Sequence, residues 1–224
     1  MFLINMTEYV IQNSNKKIQI GKIVCLARTY REHAHEMNAE ITTDPLLFLK
    51  PESAVIFNNQ SIIIPPLSSC LHHEVELGVI IGKTCSHVSQ ANAIHYVFGY
   101  LVALDITARD IQSEAKKHGW PWSIGKGFDT FAPISDVVLK EKIPNPNNLD
   151  LMLKVNGTIT QHANTSQMIY SVERMIEFIS QVMTLKQGDL IMTGTPEGVA
   201  EIKEGDVLDA QLGNYCFLHV TVKK

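Results

Sequence analysis

Two glutamates one residue apart on an otherwise apolar strand constrain this chain more than any other feature. The stretch is His72-His73-Glu74-Val75-Glu76-Leu77-Gly78-Val79-Ile80-Ile81-Gly82. Its second half is β-branched and bounded by glycine, as a strand should be. Side chains alternate along a strand, so Glu74 and Glu76 share one face while Val75, Leu77 and Val79 share the other. Two like charges side by side repel, and burial raises the cost. A divalent cation between them removes that cost, and a hard ion such as Mg²⁺ or Mn²⁺ takes oxygen ligands while leaving positions for water or substrate. Such a site needs a third ligand from elsewhere. The other reading is an edge strand with a solvated acidic face, and on these residues alone both stay open.

At 224 residues the chain fits one large domain, here read as residues 21–224 with a small strand or hairpin appendage at 1–20. The net charge of −4 and the lack of a clustered basic run argue against a nucleic-acid partner. Cys25, Cys70, Cys85 and Cys216 are scattered with no C-x-x-C spacing. They read as reduced thiols in a cytoplasmic compartment rather than a zinc or redox motif. The first residues lack a basic region and a long apolar run, so no signal peptide is expected. The longest apolar stretch, Tyr96 to Leu104, contains Gly99 and is too short to span a bilayer.

Along the chain, Asn13-Ser14-Asn15 reads as the turn of an N-terminal hairpin, and Gly21 to Leu26 as a short strand. Thr29 and Glu32 have capping-box spacing, with Thr29 as N-cap of a short helix, 33–37. On it His33 and Glu36 are three apart and share a face. A carboxylate so placed orients an imidazole and raises its basicity; a solvated surface pair is the blander reading. Residues 46–50 form an apolar run stopped by Pro51, with Lys50 closing a strand that reads as buried. Tyr96 to Leu104 is a strand ending in Asp105, the candidate third ligand, with Thr107 available to cap the helix that follows. That helix, 108–118, stops at Gly119 with Pro121 beyond it. Arg109 and Gln112 share its first turns, a pairing suited to a carboxylate. Gly125-Lys126-Gly127 sets one lysine where backbone approaches a ligand closely, or in a plain surface turn. Asn156-Gly157 is a hairpin turn. Val172, Met175, Ile176, Ile179, Val182 and Met183 form a helical core stripe. Gly188 to Val199 is a strand entering a glycine-rich turn whose amides suit an anion.

These pieces resemble the fumarylacetoacetate hydrolase family, and within it the acylpyruvate hydrolase branch, over roughly residues 20–220. The resemblance rests on H-H-E-V-E-L-G, on L-D-I-T-A-R-D-I-Q with Asp105, on G-D-L-I-M-T-G-T-P-E-G-V, and on Tyr30, His33 and Glu36 followed by F-L-K-P at 48–51. It implies Mg²⁺ or Mn²⁺ on Glu74, Glu76 and Asp105, with His33, Glu36 and Lys126 as the catalytic groups. Arg28, Tyr30, Arg109, Gln112 and Thr195 fall on substrate-contacting positions. It also implies a lid over about 29–43 and an α+β, β-rich roll of mixed sheets with flanking helices, usually a homodimer. The branch reads G-R-N-Y where this chain has Ala27-Arg28-Thr29-Tyr30, and A-K-S where it has Gly125-Lys126-Gly127.

The chemistry implied is hydrolysis of the C–C bond of an acylpyruvate to pyruvate and a carboxylic acid, through an enolate held by the cation. His33, oriented by Glu36, activates the water, and Lys126 stabilises developing charge or delivers a proton. Oxaloacetate decarboxylation and keto–enol tautomerisation are alternatives that use the same site. A non-catalytic metal-binding scaffold would need the ligands but not His33, Glu36 and Lys126 together.

Overall fold

The computed structural model describes residues 7–36 and 44–224. Its centre is a six-stranded mixed sheet in the order Val138–Leu139, Val97–Leu104, Val75–Ile81, Leu190–Met192, Ile23–Ala27, Leu46–Lys50. Only Ile23–Ala27 and Leu190–Met192 run parallel; the other neighbours are antiparallel. The acidic strand therefore has a partner on each side, and all seven of its residues are buried. The edge-strand reading fails for that reason.

The sheet is covered on both faces, which explains its near-continuous apolar composition. Val75, Leu77, Val79 and Ile81 enter a core shared with a five-stranded sheet and with the helix Val172–Val182. The five-stranded sheet runs Thr158–Asn164, Asp150–Val155, Val207–Leu212, Cys216–Lys223, Ser61–Ile63. Along the helix Val172, Met175, Ile176 and Ile179 are buried as the spacing predicts. Val182 is the exception, exposed at the helix end.

On the opposite face Ile23, Cys25, Ile80, Leu101 and Met192 pack with Tyr9, Ile11, Ile18 and Ile20. Within residues 7–20, Glu8 pairs antiparallel with Gln19 and Ile11 bridges Val137; Met1 to Met6 lie outside the described residues. The Asn156-Gly157 turn is present, both residues in the left-handed region, and joins Asp150–Val155 to Thr158–Asn164.

Both predicted caps gave way to tertiary bonds. The Thr29 hydroxyl donates to the Thr193 carbonyl at 2.7 Å, and the short helix runs Arg31–Glu36. Thr107 sits in a two-residue strand; its hydroxyl donates to the Asp105 carbonyl and accepts from Lys126. The helix Arg109–His118 starts without a side-chain cap and ends, as expected, at left-handed Gly119.

Candidate active site

Strand register assembles the carboxylates. Val75 pairs with Leu104 and Glu76 with Ala103, and the Asp105 amide donates to the Glu74 carbonyl at 2.8 Å. Asp105 is thus delivered beside the two glutamates by the pairing of the two strands. One carboxylate oxygen from each of Glu74, Glu76 and Asp105 lies within 4.8 Å of the others. All three residues are buried.

Lys126 reaches into this cluster from the short helix Ser123–Lys126. Its ammonium donates to Glu74 Oε2 at 2.9 Å, Asp105 Oδ2 at 2.6 Å and Thr107 Oγ1 at 2.7 Å. It is therefore no surface lysine. Burial opposes its charge, but Asp105 and Glu74 more than offset that and raise its pKa. Burial would likewise raise Glu74, yet Lys126 and Arg109 pull its carboxyl well below the usual range. Glu76 goes the other way: burial first, then Asp105 and Glu74, push it well above. One oxygen of Glu76 accepts the Gly194 amide at 2.7 Å; its Oε1 is buried with no partner among the described residues. A buried carboxylate oxygen left without a donor, in a set of three carboxylates, fits a hard divalent cation.

Lys50 is buried, but the strand it closes, Leu46–Lys50, is an edge of the sheet and otherwise half-buried or exposed, not buried as its apolar run suggests. The Lys50 Nζ donates to the carbonyls of Ile106 at 3.0 Å, Lys126 at 2.5 Å and Phe131 at 2.9 Å. It also lies 2.8 Å from Asp105 Oδ1. One buried cation thus fixes the third carboxylate and the backbone that presents Lys126.

His33 and Glu36 stand at the edge of this floor. His33 Nδ1 is 3.1 Å from Glu36 Oε2, and Glu36 Oε1 accepts the Gly198 amide at 3.1 Å. The glycine-rich turn therefore spends two amides on protein carboxylates, Gly194 on Glu76 and Gly198 on Glu36, rather than on a free anion. Both glycines have φ of +90°, and a Cβ on Gly198 would come within 2.1 Å of the Thr160 carbonyl. Side chains are excluded there by conformation and by space.

A cavity opens above the floor. Of the residues singled out from sequence, Arg28, His33, Glu74, Glu76, Arg109, Gln112, Lys126 and Thr195 line it. Glu36, Asp105 and Tyr30 do not: Glu36 sits behind His33, Asp105 beneath Lys126. Tyr30 is buried, with a hydroxyl that has no partner among the described residues. Arg28 adopts φ of +60°, a strained setting for a non-glycine residue on a cavity wall. Arg109 forms an ion pair with Glu74 and donates to Gln112 Oε1 at 2.6 Å. The Thr195 hydroxyl donates to the Val75 carbonyl and accepts from Gln161. Residues 37–43, part of the expected lid, lie outside the described residues.

A model of the fumarylacetoacetate (FAA) hydrolase C-terminal family matches residues 22–223. The chain belongs to the fumarylacetoacetate hydrolase family. It is 48% identical over 188 residues, 84% of this chain and 85% of the relative, to oxaloacetate tautomerase FAHD1, mitochondrial, of Bos taurus. It is also 48% identical over 196 residues, 87% of this chain and 90% of the relative, to oxaloacetate decarboxylase, mitochondrial, of Dictyostelium discoideum. Among solved structures, fumarylpyruvate hydrolase from Pseudomonas aeruginosa in complex with Mn²⁺ and pyruvate superposes with a TM-score of 0.94. That match has 31% identity and covers 97% of this chain and 96% of the other. The chain is thus a fumarylacetoacetate hydrolase family enzyme of α+β, β-rich architecture. The buried triad Glu74, Glu76 and Asp105 could hold a metal ion, and the P. aeruginosa structure contains Mn²⁺. No described helix is long and apolar enough to cross a membrane.

Sequence reasoning missed three residues that shape the site. Gln161, on Thr158–Asn164, accepts from the Val75 amide at 3.0 Å and bonds His73 Nδ1 at 2.9 Å; it also donates to Thr195 and to the Pro196 carbonyl. It ties the acidic strand to the glycine-rich turn. Gly198 anchors Glu36. Lys116 lines the cavity one helical turn beyond Gln112. Gly198 lies in the glycine-rich turn whose amides suit an anion, and Lys116 left a signal too: Arg109, Gln112 and Lys116 stand at i, i+3 and i+7, one face of one helix.

Proposed function

We propose that the chain is a divalent-cation-dependent enzyme acting on 2-oxo acids, with keto–enol tautomerisation of oxaloacetate as its principal reaction. One observation carries the reading: a carboxylate-backed histidine faces a cavity whose floor holds three carboxylates and a lysine. Glu74, Glu76 and Asp105 would hold Mg²⁺ or Mn²⁺. When bound, the cation supplies Lewis-acid stabilisation of negative charge on the 2-oxo group.

The chain's own residues supply the proton transfer. Glu36 occupies His33 Nδ1, so Nδ1 carries the hydrogen and Nε2 is left as the base. Nε2 takes the C3 proton of the keto form, and the same nitrogen returns it to the enolate oxygen; the reverse reaction retraces both steps. Gly198 holds Glu36 and thereby the imidazole plane. Lys126, with its pKa raised by two carboxylates, acts as a standing positive charge near the enolate. Arg109 and Gln112 are placed to orient the substrate's 1-carboxylate, Arg28 and Thr195 shape the surrounding wall, and Tyr30 is buried away from it.

A second reading, hydrolysis of acylpyruvates, is supported by the likeness to the P. aeruginosa structure that holds pyruvate. There His33 would deprotonate water instead of C3. Decarboxylation of oxaloacetate, the activity in the name of the Dictyostelium relative, would need no base. The test is to follow the enol absorbance of oxaloacetate, and pyruvate release from oxaloacetate and acetylpyruvate, with Mg²⁺ and with chelator. The proposal requires accelerated tautomerisation that chelator abolishes; tautomerisation at the uncatalysed rate refutes it. A homodimer is part of the same reading and is checked by sedimentation. The four unpaired cysteines suit a reducing compartment, the cytoplasm or, as in the names of the relatives, the mitochondrion.

A further inference from the structure

Three side chains of the Arg109–His118 helix face the cavity: Arg109, Gln112 and Lys116. The first two are engaged at the floor, with Glu74 and with each other. Lys116 is not. Among the described residues it has no carboxylate partner; its ammonium lies 5.2 Å from the Trp122 ring centroid. Trp122 in turn packs on Phe48, centroids 5.7 Å apart, and Lys126 lies 4.8 Å from the Phe48 ring. The two aromatic rings form a wall with one lysine at the floor end and another at the mouth. Arg28 lines the same cavity.

The charge on these walls is lopsided. Four cationic side chains, Arg28, Arg109, Lys116 and Lys126, face the cavity among the described residues, against the three carboxylates that form the metal site. A divalent cation makes the imbalance larger. A substrate with one carboxylate, spent at the floor, leaves the mouth positive. Partial burial, and then Arg109, hold the Lys116 ammonium below the usual lysine value against the opposing pull of Glu74.

We infer that Lys116 is a specificity-determining residue that takes the distal carboxylate of a 2-oxo diacid whose 2-oxo-carboxylate end lies at the acidic floor. The inference rests on the proposed reading of the site and narrows its substrate class to 2-oxo acids with a second anionic group, of which oxaloacetate is a short example. It also gives a reason for tautomerisation over decarboxylation. A carboxylate held in an ion pair is stabilised as an anion, and departure as CO₂ gives up that charge. Lys116 therefore favours proton transfer at C3 over loss of C4.

Binding tests this without turnover. Malate and lactate both present a 2-hydroxy-carboxylate and differ in the distal carboxylate. Titrating each into the Mg²⁺-loaded protein by calorimetry should show malate bound more tightly by about fivefold, the upper range for an ion pair not wholly withdrawn from water. Lys116→Met should bring malate to within about twofold of lactate, and Lys116→Arg should restore the preference, because it keeps the charge. A wild-type chain that binds both alike, or a Lys116→Met variant that keeps the malate preference, overturns the inference. If the Lys116-dependent preference is present but oxaloacetate is not tautomerised, the subsite stands and the proposed reaction falls.

Discussion

The three carboxylates and the His33–Glu36 pair meet at one cavity but are held there in different ways. Glu76 and Asp105, each 1% exposed, belong to two paired strands deep in a six-stranded sheet; the Gly194 amide holds Glu76, and Lys50 and Lys126 hold Asp105. His33 and Glu36 ride on a six-residue helix whose Glu36 is exposed. So short a helix has little stability of its own. It is held by buried Ala34, by the Thr29 carbonyl accepting the Ile169 amide at 2.7 Å, and by the Gly198 amide on Glu36. The difference teaches that the floor's geometry is fixed by the fold, whereas His33 is positioned by a few contacts to neighbouring loops. A reaction that needs only the floor should survive damage to the rim; one that needs both should not.

Substitutions break that comparison at different points. Glu76→Ala strikes the floor and should have the largest effect. Tautomerisation, decarboxylation and acylpyruvate cleavage should all be lost, with metal affinity down by more than about 100-fold, beyond what a supporting contact costs. Calorimetric Mg²⁺ or Mn²⁺ titration beside the activity assays checks this; unchanged metal affinity would remove Glu76 from the ligand set.

His33→Ala strikes the rim. Tautomerisation and acylpyruvate hydrolysis should fall by about 10²–10⁴, the usual contribution of a general base. Decarboxylation should suffer much less and metal affinity should hold. An equal loss in all three reactions would show His33 acting in closure or binding common to them.

Lys50→Met tests whether the floor depends on its brace. Removing one partner of a buried ion pair costs about 3–5 kcal/mol, here with the Ile106 and Lys126 carbonyls also losing the Lys50 donor. Metal affinity should fall by about 10- to 100-fold. A stability loss in denaturant melts with metal affinity intact would confine Lys50 to folding.

Gly198→Ala sharpens the rim. At a φ of +90° and against the Thr160 carbonyl, a methyl group costs about 1–3 kcal/mol. The turn must shift away from Glu36, so kcat for tautomerisation should drop while metal affinity stays. Thr29→Val is expected to do least. It removes one buried hydrogen bond, about 1 kcal/mol, and should lower Tm by about 2–4 °C in a chain of this length.

Period-two alternation was enough to put Glu74 and Glu76 on one face, and a strand ending in a carboxylate was enough to nominate Asp105. Local spacing likewise paired His33 with Glu36 and stopped a helix at Gly119. These features are local, and the backbone enforces them wherever the strand or helix goes. Whether the acidic strand lay at an edge or in the interior was not local, and the sheet order decided it. Thr29 and Thr107 had the composition of caps, but their hydroxyls went to tertiary and turn partners instead, because a buried carbonyl or ammonium left unmet costs more than an uncapped helix end. Lys50 bonds carbonyls 56, 76 and 81 residues away, and Gln161 joins a strand 86 residues before it to a turn 34 residues after it. Sequence periodicity specifies which way a side chain points. It carries no record of what will stand opposite, so the brace behind the floor, the anchor of Glu36 and the cation at the mouth were settled only by tertiary packing.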